Sequence, residues 1–343
     1  MQPGYDVVAP GWIVFAFTVA LVLTGLVRQF AIRYRKLDIP GERSSHAVPT
    51  PRGGGLAVIV AVYTAGIGMT ATAGLPLSFL LLVGLPGLLV AGVGLADDLH
   101  SIGPLPRLLV HFAGAFLFLF LLEIFFAPPW LSGDSSGIAL RFILASGLVW
   151  AVNLNNFMDG IDGIASVEAL CVLVSAAVLL HLKGGDHATV AFLLAVSGAV
   201  LGFLAWNWPP ARIFMGDACS GFLGLLLGMS ALVTWSSGTL SIWSWLILYA
   251  VFLVDATWTL LRRILRGERF YEPHRSHAYQ ILSRRLRSHG KVTLGVAAIN
   301  ICWLFPLALV SSMHPRLAPW CFGAACFPLL LGVLLARAGT TNE

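Results

Sequence analysis

Residues 77–100 read LSFLLLVGLPGLLVAGVGLADDLH, an apolar run that ends beside two adjacent aspartates. A bilayer core about 30 Å thick needs about 20 mostly apolar residues for one α-helix to cross it. Residues 77–96 meet that length without a charged side chain. The stretch therefore predicts a transmembrane helix that brings Asp97 and Asp98 to one membrane surface.

The rest of the sequence repeats this pattern. Charged residues make up 11% of the 343 residues and apolar types 58%, whereas an ordinary soluble domain carries roughly 25% charged residues. This composition excludes a disordered chain and argues against a soluble enzyme. We predict an all-α polytopic membrane protein with about 11 transmembrane helices, N-terminus periplasmic and C-terminus cytoplasmic. The predicted spans cover about 11–32, 53–73, 77–96, 107–127, 138–157, 164–183, 188–206, 218–235, 242–261, 292–312 and 317–337.

The orientation rests on the uneven distribution of Lys and Arg. Of the 21 basic residues, 18 fall in alternate loops on one side of the membrane, and Arg141, Lys183 and Arg316 fall on the other. Short cytoplasmic loops carry the excess of basic residues. The net charge of +5 therefore needs no nucleic-acid partner to explain it. The chain is expected to be one integral membrane domain, 1–343, with cytoplasmic loops at about 33–52, 97–107, 156–163, 207–217 and 262–291.

Five polar clusters fall in these cytoplasmic loops. The first, residues 37–55, combines prolines and glycines with Arg43, His46 and Arg52, which are donors suited to phosphate. An ordinary basic loop is the alternative. The second is the pair of aspartates after residue 96, which a divalent cation or a shared proton would stabilise. A solvated helix end is the alternative there, and the helix dipole disfavours it.

The third cluster is NLNNFMDGIDG at residues 153–163. Asn153, Asn156, Asp159 and Asp162 recur every three residues, which predicts that they share one helical face. The two glycines should end that helix and expose backbone N–H groups, so that the next helix begins with an anion site. An asparagine-rich cap would not explain four polar residues in register.

The last two clusters lie further along the chain. In residues 207–221, Asp217 stands alone between two apolar runs, either as a functional carboxylate or as the N-cap of the next helix. In residues 273–280, His274 and His277 have the i, i+3 spacing of one helical face, beside several arginines. Phosphate contact is favoured for this pair over metal binding, and a solvated amphipathic segment is the alternative.

Together, the clusters offer carboxylates for a hard cation and cationic donors for phosphates, next to apolar helices. Mg²⁺ prefers one or two carboxylates together with substrate phosphate oxygens. Phosphoryl transfer is mostly positioning and charge neutralisation. The pattern therefore indicates phosphoryl transfer to or from a lipid.

On these motifs the chain resembles the polyprenyl-phosphate N-acetylhexosamine-1-phosphate transferases, glycosyltransferase family 4. The resemblance runs from about residue 38 to 280 and is most specific in 153–163 and 214–221; segments 43–55 and 274–280 look most like the O-antigen-initiating branch. It implies that a UDP-N-acetylhexosamine gives its sugar-1-phosphate to a polyprenyl phosphate such as undecaprenyl phosphate, with UMP as the second product. The expected place is the cytoplasmic face of a bacterial inner membrane.

The resemblance also implies roles for individual residues. Catalytic roles fall to Asp97, Asp98, Asp159, Asp162, His274 and His277. Substrate binding falls to Arg43, His46, Arg52, Asn153, Asn156, Asn207, Phe214 and Arg275. A Mg²⁺ or Mn²⁺ ion falls to Asp217 and Asp159. Asp97 is the favoured base, although a phosphate monoester, whose second pKa lies near 6, needs none at neutral pH.

The sequence departs from the family's pattern at three places. Arg107 is the first cation after the aspartate pair, where the family commonly has a further Asp or Lys close by. Cys219 stands where the fourth motif usually has Gly. Ala278 takes the place of a third histidine found in some branches, which argues for a sugar without a peptide.

A polytopic transporter is the main alternative function. It should line a central pathway with ionisable residues, whereas Glu123 and Asp255 are among the few inside the predicted spans. An inactive scaffold is disfavoured because every acidic motif residue is present. A CDP-alcohol transferase is disfavoured because DGID at 159–162 departs from its motif. The sequence leaves open which UDP-sugar is used, the polyprenyl length, and whether the protein forms a homodimer.

Overall fold

A computed structural model of the chain describes residues 5–39, 48–131, 135–268 and 274–340. A pair of two-residue antiparallel strands, β1 (Leu37–Asp38) and β2 (Thr50–Pro51), follows the first helix, and helices make up most of the remainder. The helices are α1 (Tyr5–Arg33), α2 (Leu56–Thr72), α3 (Leu77–His100), α4 (Pro104–Phe126), α5 (Ser135–Met158), α6 (Ile164–Leu182), α7 (His187–Asn207), α8 (Asp217–Ser236), α9 (Ile242–Leu248), α10 (Ala250–Leu265), α11 (Ala278–Leu286), α12 (His289–Ile299), α13 (Phe305–Met313) and α14 (Ala318–Ala336). A π-helical turn, Asn300–Leu304, joins α12 to α13.

The predicted all-α polytopic membrane architecture is confirmed. In the described part of the chain, 9 helices are long and apolar enough to cross a bilayer, and α9 with α10 makes a tenth if the pair is one bent span. The remaining predicted run corresponds to α2, which has 17 residues. Every predicted apolar run is therefore a helix or a helix pair. The number of crossings and their orientation stay predictions.

The predicted span at 242–261 is not one straight helix. Helix α9 ends at Leu248, α10 begins at Ala250, and the two are bent by 78°. Tyr249 lies at the break, with φ −99° and ψ 11°. Hydropathy gives no sign of the break, because the run is apolar on both sides of it.

Helix α8 lies at the centre of the bundle. Of its most apolar window 89% is buried, against 17% for α1. Glycines allow its neighbours to approach closely: a Cβ on Gly94 of α3 would lie 2.6 Å from the Cα of Ala218, and one on Gly224 would lie 2.3 Å from the carbonyl oxygen of Ala151 in α5. This packing fixes the first residue of α8 against the ends of α3 and α5.

Two expectations about local helix geometry are wrong. Helix α5 ends at Met158, so Asn153 and Asn156 are helical but Asp159 and Asp162 are not. The two glycines of this segment end the helix earlier than the spacing suggested, and α6 begins at residue 164 as expected.

The histidine pair likewise does not share a helical face. His274 precedes α11, and His277 is the N-cap of that helix. Their rings stack instead, with centroids 4.9 Å apart. An i, i+3 spacing predicts a shared face only where both residues are helical.

Candidate active site

Five charged side chains meet where α3 ends and α8 begins; we call them the aspartate–arginine cluster (Arg52, Asp97, Asp98, Arg107 and Asp217). Arg52 Nε lies 3.1 Å from Asp98 Oδ1, and Arg52 Nη2 also donates to Asp217 Oδ1. Arg107 Nη1 lies 2.5 Å from Asp97 Oδ2 and 3.1 Å from Asp217 Oδ2. Each arginine therefore bridges two carboxylates, and both arginines bond Asp217.

Asp98, at the end of α3, caps the first turn of α8. Its Oδ1 accepts from Asp217 N at 3.0 Å and its Oδ2 from Ala218 N at 3.1 Å. Gly216, the N-cap, has φ 88°, and a Cβ there would lie 2.7 Å from Asp98 Oδ2. Because Asp98 takes the capping role, the N-cap alternative for Asp217 is wrong, and the Asp217 carboxylate bonds the arginines instead.

Arg52 is placed by main-chain bonds between two loops. Phe214 N donates to Pro51 O at 2.8 Å, and Gly54 N donates to Phe214 O at 2.9 Å. A Cβ on the next residue, Gly55, would lie 2.2 Å from Cys219 Cβ. The cysteine at the position that usually holds glycine is thus accommodated by a glycine opposite it.

Asp159 lies half-buried in the loop after α5, within electrostatic reach of the cluster. Desolvation raises its pKa well above the usual value; Arg52 opposes this, and the Asp217 and Asp98 carboxylates add to it. Burial alone would lower the pKa of Arg52, but Asp217 and Asp98 outweigh that effect and raise it. The cluster therefore keeps Arg52 charged and favours a neutral Asp159 in the absence of a further cation.

The donor set of the cluster fits a hard divalent cation. In the part of the chain that the structure describes, no group of three His, Cys, Asp or Glu side chains is arranged to hold a metal. The guanidinium groups of Arg52 and Arg107 bond the carboxylates that would otherwise be ligands. Carboxylate oxygens are nevertheless the donors that Mg²⁺ shares with substrate phosphates. The residues therefore fit Mg²⁺ that binds together with a phosphate ligand. The phosphate would pair with Arg52 and Arg107 and so release the carboxylates to bind the ion.

The asparagines named from the sequence have different surroundings. Asn156 contacts the cluster, since its Nδ2 lies 3.4 Å from Asp217 Oδ2. Asn153 Nδ2 donates to Val149 O at 2.8 Å, within its own helix. Asn207 is 3% exposed; its side chain accepts from Gly163 N and donates to Ile213 O, both at 3.0 Å. Asn207 thus joins two loops of the site.

Asp162 bonds a different part of the protein. Its Oδ1 lies 3.2 Å from His289 Nδ1, and its Oδ2 accepts from Ala211 N at 3.0 Å. It lines a cavity of about 610 Å³ together with Arg284 and Arg287. The Asp162 and Asp217 side chains therefore bond different partners. The loop that carries Asp162 nevertheless begins beside the cluster.

A second group of polar side chains surrounds Asp255. This buried carboxylate accepts from Ala278 N at 2.9 Å and from Tyr279 N at 3.0 Å, and His277 Nδ1 lies 3.4 Å from it. Tyr279 Oη in turn donates to Phe157 O at 2.8 Å, which joins this group to the end of α5. From the sequence, Asp255 is only an ionisable residue in a predicted span. A lone carboxylate in an apolar run indicates that it has a polar partner but does not say which one.

The remaining residues named from the sequence lie around this group or outside the description. His277 is 3% exposed. His274 is half-buried, and desolvation, then His277 and Arg263, lower its pKa to about 3, so its ring is neutral at physiological pH. Arg275 is exposed. Arg43 and His46 lie outside the described residues.

Comparisons with known proteins identify the family of the chain. The sequence model described as glycosyl transferase family 4 matches residues 79–235. The chain is 31% identical over 306 residues to "Decaprenyl-phosphate N-acetylglucosaminephosphotransferase" of Mycolicibacterium smegmatis, which covers 79% of this chain and 74% of that protein. It is 29% identical over 311 residues to "Probable undecaprenyl-phosphate N-acetylglucosaminyl 1-phosphate transferase" of Bacillus subtilis, covering 88% and 85%.

A relative from another branch of activity names matches less of the chain. "Phospho-N-acetylmuramoyl-pentapeptide-transferase" of Synechococcus is 32% identical over 229 residues, 60% of this chain and 59% of that protein. The region matched by the family model contains Asp97, Asp98, Asp159, Asp162 and Asp217. The chain belongs to glycosyl transferase family 4, and the relatives that it matches over most of its length are polyprenyl-phosphate N-acetylglucosamine-phosphate transferases.

Proposed function

We propose that this protein transfers N-acetylhexosamine-1-phosphate from a UDP-sugar to a polyprenyl phosphate at the cytoplasmic face of a bacterial inner membrane. The products are a polyprenyl-diphosphate sugar and UMP, the first step of an O-antigen or a related cell-envelope glycan. The observation that carries the proposal is Asp217, which Arg52 and Arg107 share at the end of apolar helices. The names of the relatives support a decaprenyl or undecaprenyl phosphate acceptor and make N-acetylglucosamine the first sugar to test.

The transfer requires one bond to form and one to break. An oxygen of the lipid phosphate attacks the sugar-linked phosphorus, and the bond from that phosphorus to the bridging oxygen breaks, so that the oxygen leaves with UMP. The acceptor phosphate has its second pKa near 6 and is mostly dianionic at neutral pH. It therefore needs no general base to become nucleophilic.

The two arginines are the groups suited to hold the reacting phosphates. A guanidinium binds phosphate oxygens through paired charge-assisted hydrogen bonds, and both arginines already pair with carboxylates at the end of α3 and the start of α8. Asp97 Oδ1 accepts from Ile102 N at 2.6 Å, while its Oδ2 pairs with Arg107. Asp97 therefore orients Arg107, and a proton-accepting role is secondary.

A divalent cation is a further part of the proposal. Asp217 and Asp159 would hold Mg²⁺, or Mn²⁺ in its place. Asp217 is part of the cluster, Asp159 lies within its electrostatic reach, and the Asp217 carboxylate disfavours ionisation of Asp159 unless a cation binds. When bound, the ion would neutralise the charge on the phosphates. The apolar helices that surround the cluster would hold the lipid acceptor at the membrane surface.

The cytoplasmic orientation of the site rests on the charge distribution. The aspartate–arginine cluster lies at the helix ends from which the Lys- and Arg-rich loops leave. Excess basic residues are typical of cytoplasmic loops. Cytoplasmic sugar nucleotides would therefore reach the site directly.

The proposal is tested by UMP release from purified protein supplied with Mg²⁺, undecaprenyl phosphate and a panel of UDP-N-acetylhexosamines. We expect release to need both substrates, with Asp217→Asn slower by about 10²-fold or more, because it removes a charge from the site where charge develops. Asp186→Asn is the matched control: Asp186 is exposed and caps α7, at the end of the bundle away from the cluster.

Two results would contradict the proposal. Wild-type activity in Asp217→Asn, with normal expression and folding, would contradict the role of this carboxylate. The absence of UMP release with every UDP-sugar, together with solute uptake by proteoliposomes, would favour the transporter instead.

A further inference from the structure

Four hydrogen bonds run in series from the break between α9 and α10 to the aspartate–arginine cluster. Tyr249 Oη donates to Asn155 Oδ1 at 2.9 Å, and Asn155 Nδ2 donates to Ser220 O at 2.7 Å. Ser220 Oγ donates to Asn156 Oδ1 at 3.1 Å, and Asn156 Nδ2 lies 3.4 Å from Asp217 Oδ2. The series connects a tyrosine of the broken helix to the central carboxylate of the site.

The middle of this series is fully buried. Asn155 and Ser220 are both 0% exposed, and both polar atoms of the Asn155 amide are engaged. A buried polar atom that loses its partner destabilises the fold, because no water replaces the lost hydrogen bond. The bonds therefore constrain one another, and the amide of Asn155 is held in one orientation.

That constraint reaches Asp217 through the neighbouring asparagine. The Oδ1 atom of Asn156 is committed to Ser220, so its Nδ2 group is the end that faces Asp217. Ser220 is also on the first turn of α8, three residues after Asp217. A shift of Asn155 would therefore disturb the carboxylate through the Asn156 amide and through the backbone of α8.

Tyr249 is itself fixed by the bend. It lies at the vertex of the 78° angle between α9 and α10, and its ring packs against Phe252 with centroids 5.8 Å apart. Six residues later, in α10, Asp255 accepts from the first two backbone N–H groups of α11. Tyr249, at the start of α10, and Asp255, within it, thus make two separate polar connections to the site.

We propose that Tyr249 is a positioning residue for Asp217, acting through Asn155, Ser220 and Asn156. The proposal rests on the function proposed above. The helix break then has a function, because it places the Tyr249 hydroxyl where it fixes the orientation of the Asn155 amide. Asn155 lies outside the three-residue register of its motif, so the sequence pattern alone did not single it out.

The direct test compares Tyr249→Phe with Tyr63→Phe. Both changes remove one half-buried hydroxyl and keep the ring; Tyr63 Oη donates to Gly84 O, outside the series. We expect Tyr249→Phe to lower kcat about tenfold, the effect of one lost hydrogen bond at the upper end of its usual range. KM for the lipid acceptor should change less than about twofold, and Tm should match that of the control.

A double-mutant cycle tests whether the effect passes through Asn155. In an Asn155→Leu background, Tyr249→Phe should have no further effect on kcat, whereas Tyr63→Phe should act independently. Hydrogen exchange provides a readout without turnover: amides of the first turn of α8 should exchange faster in Tyr249→Phe than in the control.

The outcomes separate this inference from the proposed function. Equal kcat in Tyr249→Phe and the control, or equal exchange in the first turn of α8, would overturn the inference while leaving the activity intact. An inactive wild-type protein would count against the proposed function, and the exchange measurement would still decide the inference. If Asn155→Leu does not fold, the comparison of the two tyrosine variants decides it.

Discussion

Replacing Asp98 with asparagine tests whether this carboxylate builds the site or reacts in it. Its two oxygens accept from Asp217 N and Ala218 N, and Arg52 Nε lies 3.1 Å from one of them. Asparagine has only one side-chain oxygen. One N–H of the first turn of α8 therefore loses its acceptor and faces an amide NH₂, and Arg52 loses a countercharge.

The expected cost follows from these contacts. A hydrogen bond to a charged group contributes about 1.5–3 kcal/mol, and a lost N-cap costs about 0.5–2 kcal/mol. The Arg52 side chain is 41% exposed, so water screens the ion pair and its contribution is discounted. The total loss of stabilising free energy is about 2 kcal/mol. If the whole loss appears as a higher activation free energy because Asp217 is displaced, turnover falls about 30-fold.

The assay is UMP release together with thermal unfolding in detergent. We expect Asp98→Asn to lose about 30-fold in kcat and about 4 °C in Tm. Asp186→Asn should leave both unchanged, since an asparagine at that exposed position can still cap α7. A loss above about 10³-fold at wild-type Tm would show that Asp98 takes part in the chemistry. Wild-type turnover and Tm would refute its capping role.

Two further changes test the group around Asp255. In Gly160→Ala the new Cβ would lie 2.2 Å from Tyr279 Oη, so we expect a lower Tm and slower turnover. Gly147→Ala in α5 is the control, because its Cβ meets no atom within 4 Å. Equal effects of the two changes on Tm and turnover would contradict this expectation. The pKa of His274 is about 3, below the ordinary 6.5, so the unfolded chain binds the proton more readily and stability falls as pH drops below about 6.5. His274→Asn should therefore reduce the loss of Tm between about pH 7 and about pH 5; an unchanged loss would show that the ring is not held neutral.

The helices could be predicted because hydropathy over about 20 residues is a local property. The same holds for the polar clusters, since a carboxylate such as Asp217 stands out within an apolar sequence. The C-terminal end of α5 could not be predicted from the three-residue spacing of its polar residues. The two glycines that follow, and not this spacing, decide where the helix ends. Helical periodicity describes a face only as far as the helix extends.

What the sequence did not reveal depends on contacts between helices. Tyr249 lies in an apolar run, and nothing local distinguishes a broken helix from a straight one there. Asp98 and Asp97 look equivalent as neighbours, yet one caps α8 and the other pairs with Arg107. The role of Asp255 also appears only when α10 is placed beside α11. Each of these features needs the three-dimensional partner to be known.

The cap of α8 by a side chain of α3 has a consequence for biogenesis. Arg52 and Asp217, which pair in the finished protein, are 165 residues apart in the chain. Asp97 and Arg107 belong to the neighbouring helices α3 and α4 and can pair early. Both arginine partners of Asp217 and the carboxylate that caps α8 precede it in the chain. The aspartate–arginine cluster can therefore form only after α8 has entered the bundle, and a nascent chain that ends before α8 lacks the central carboxylate of the site.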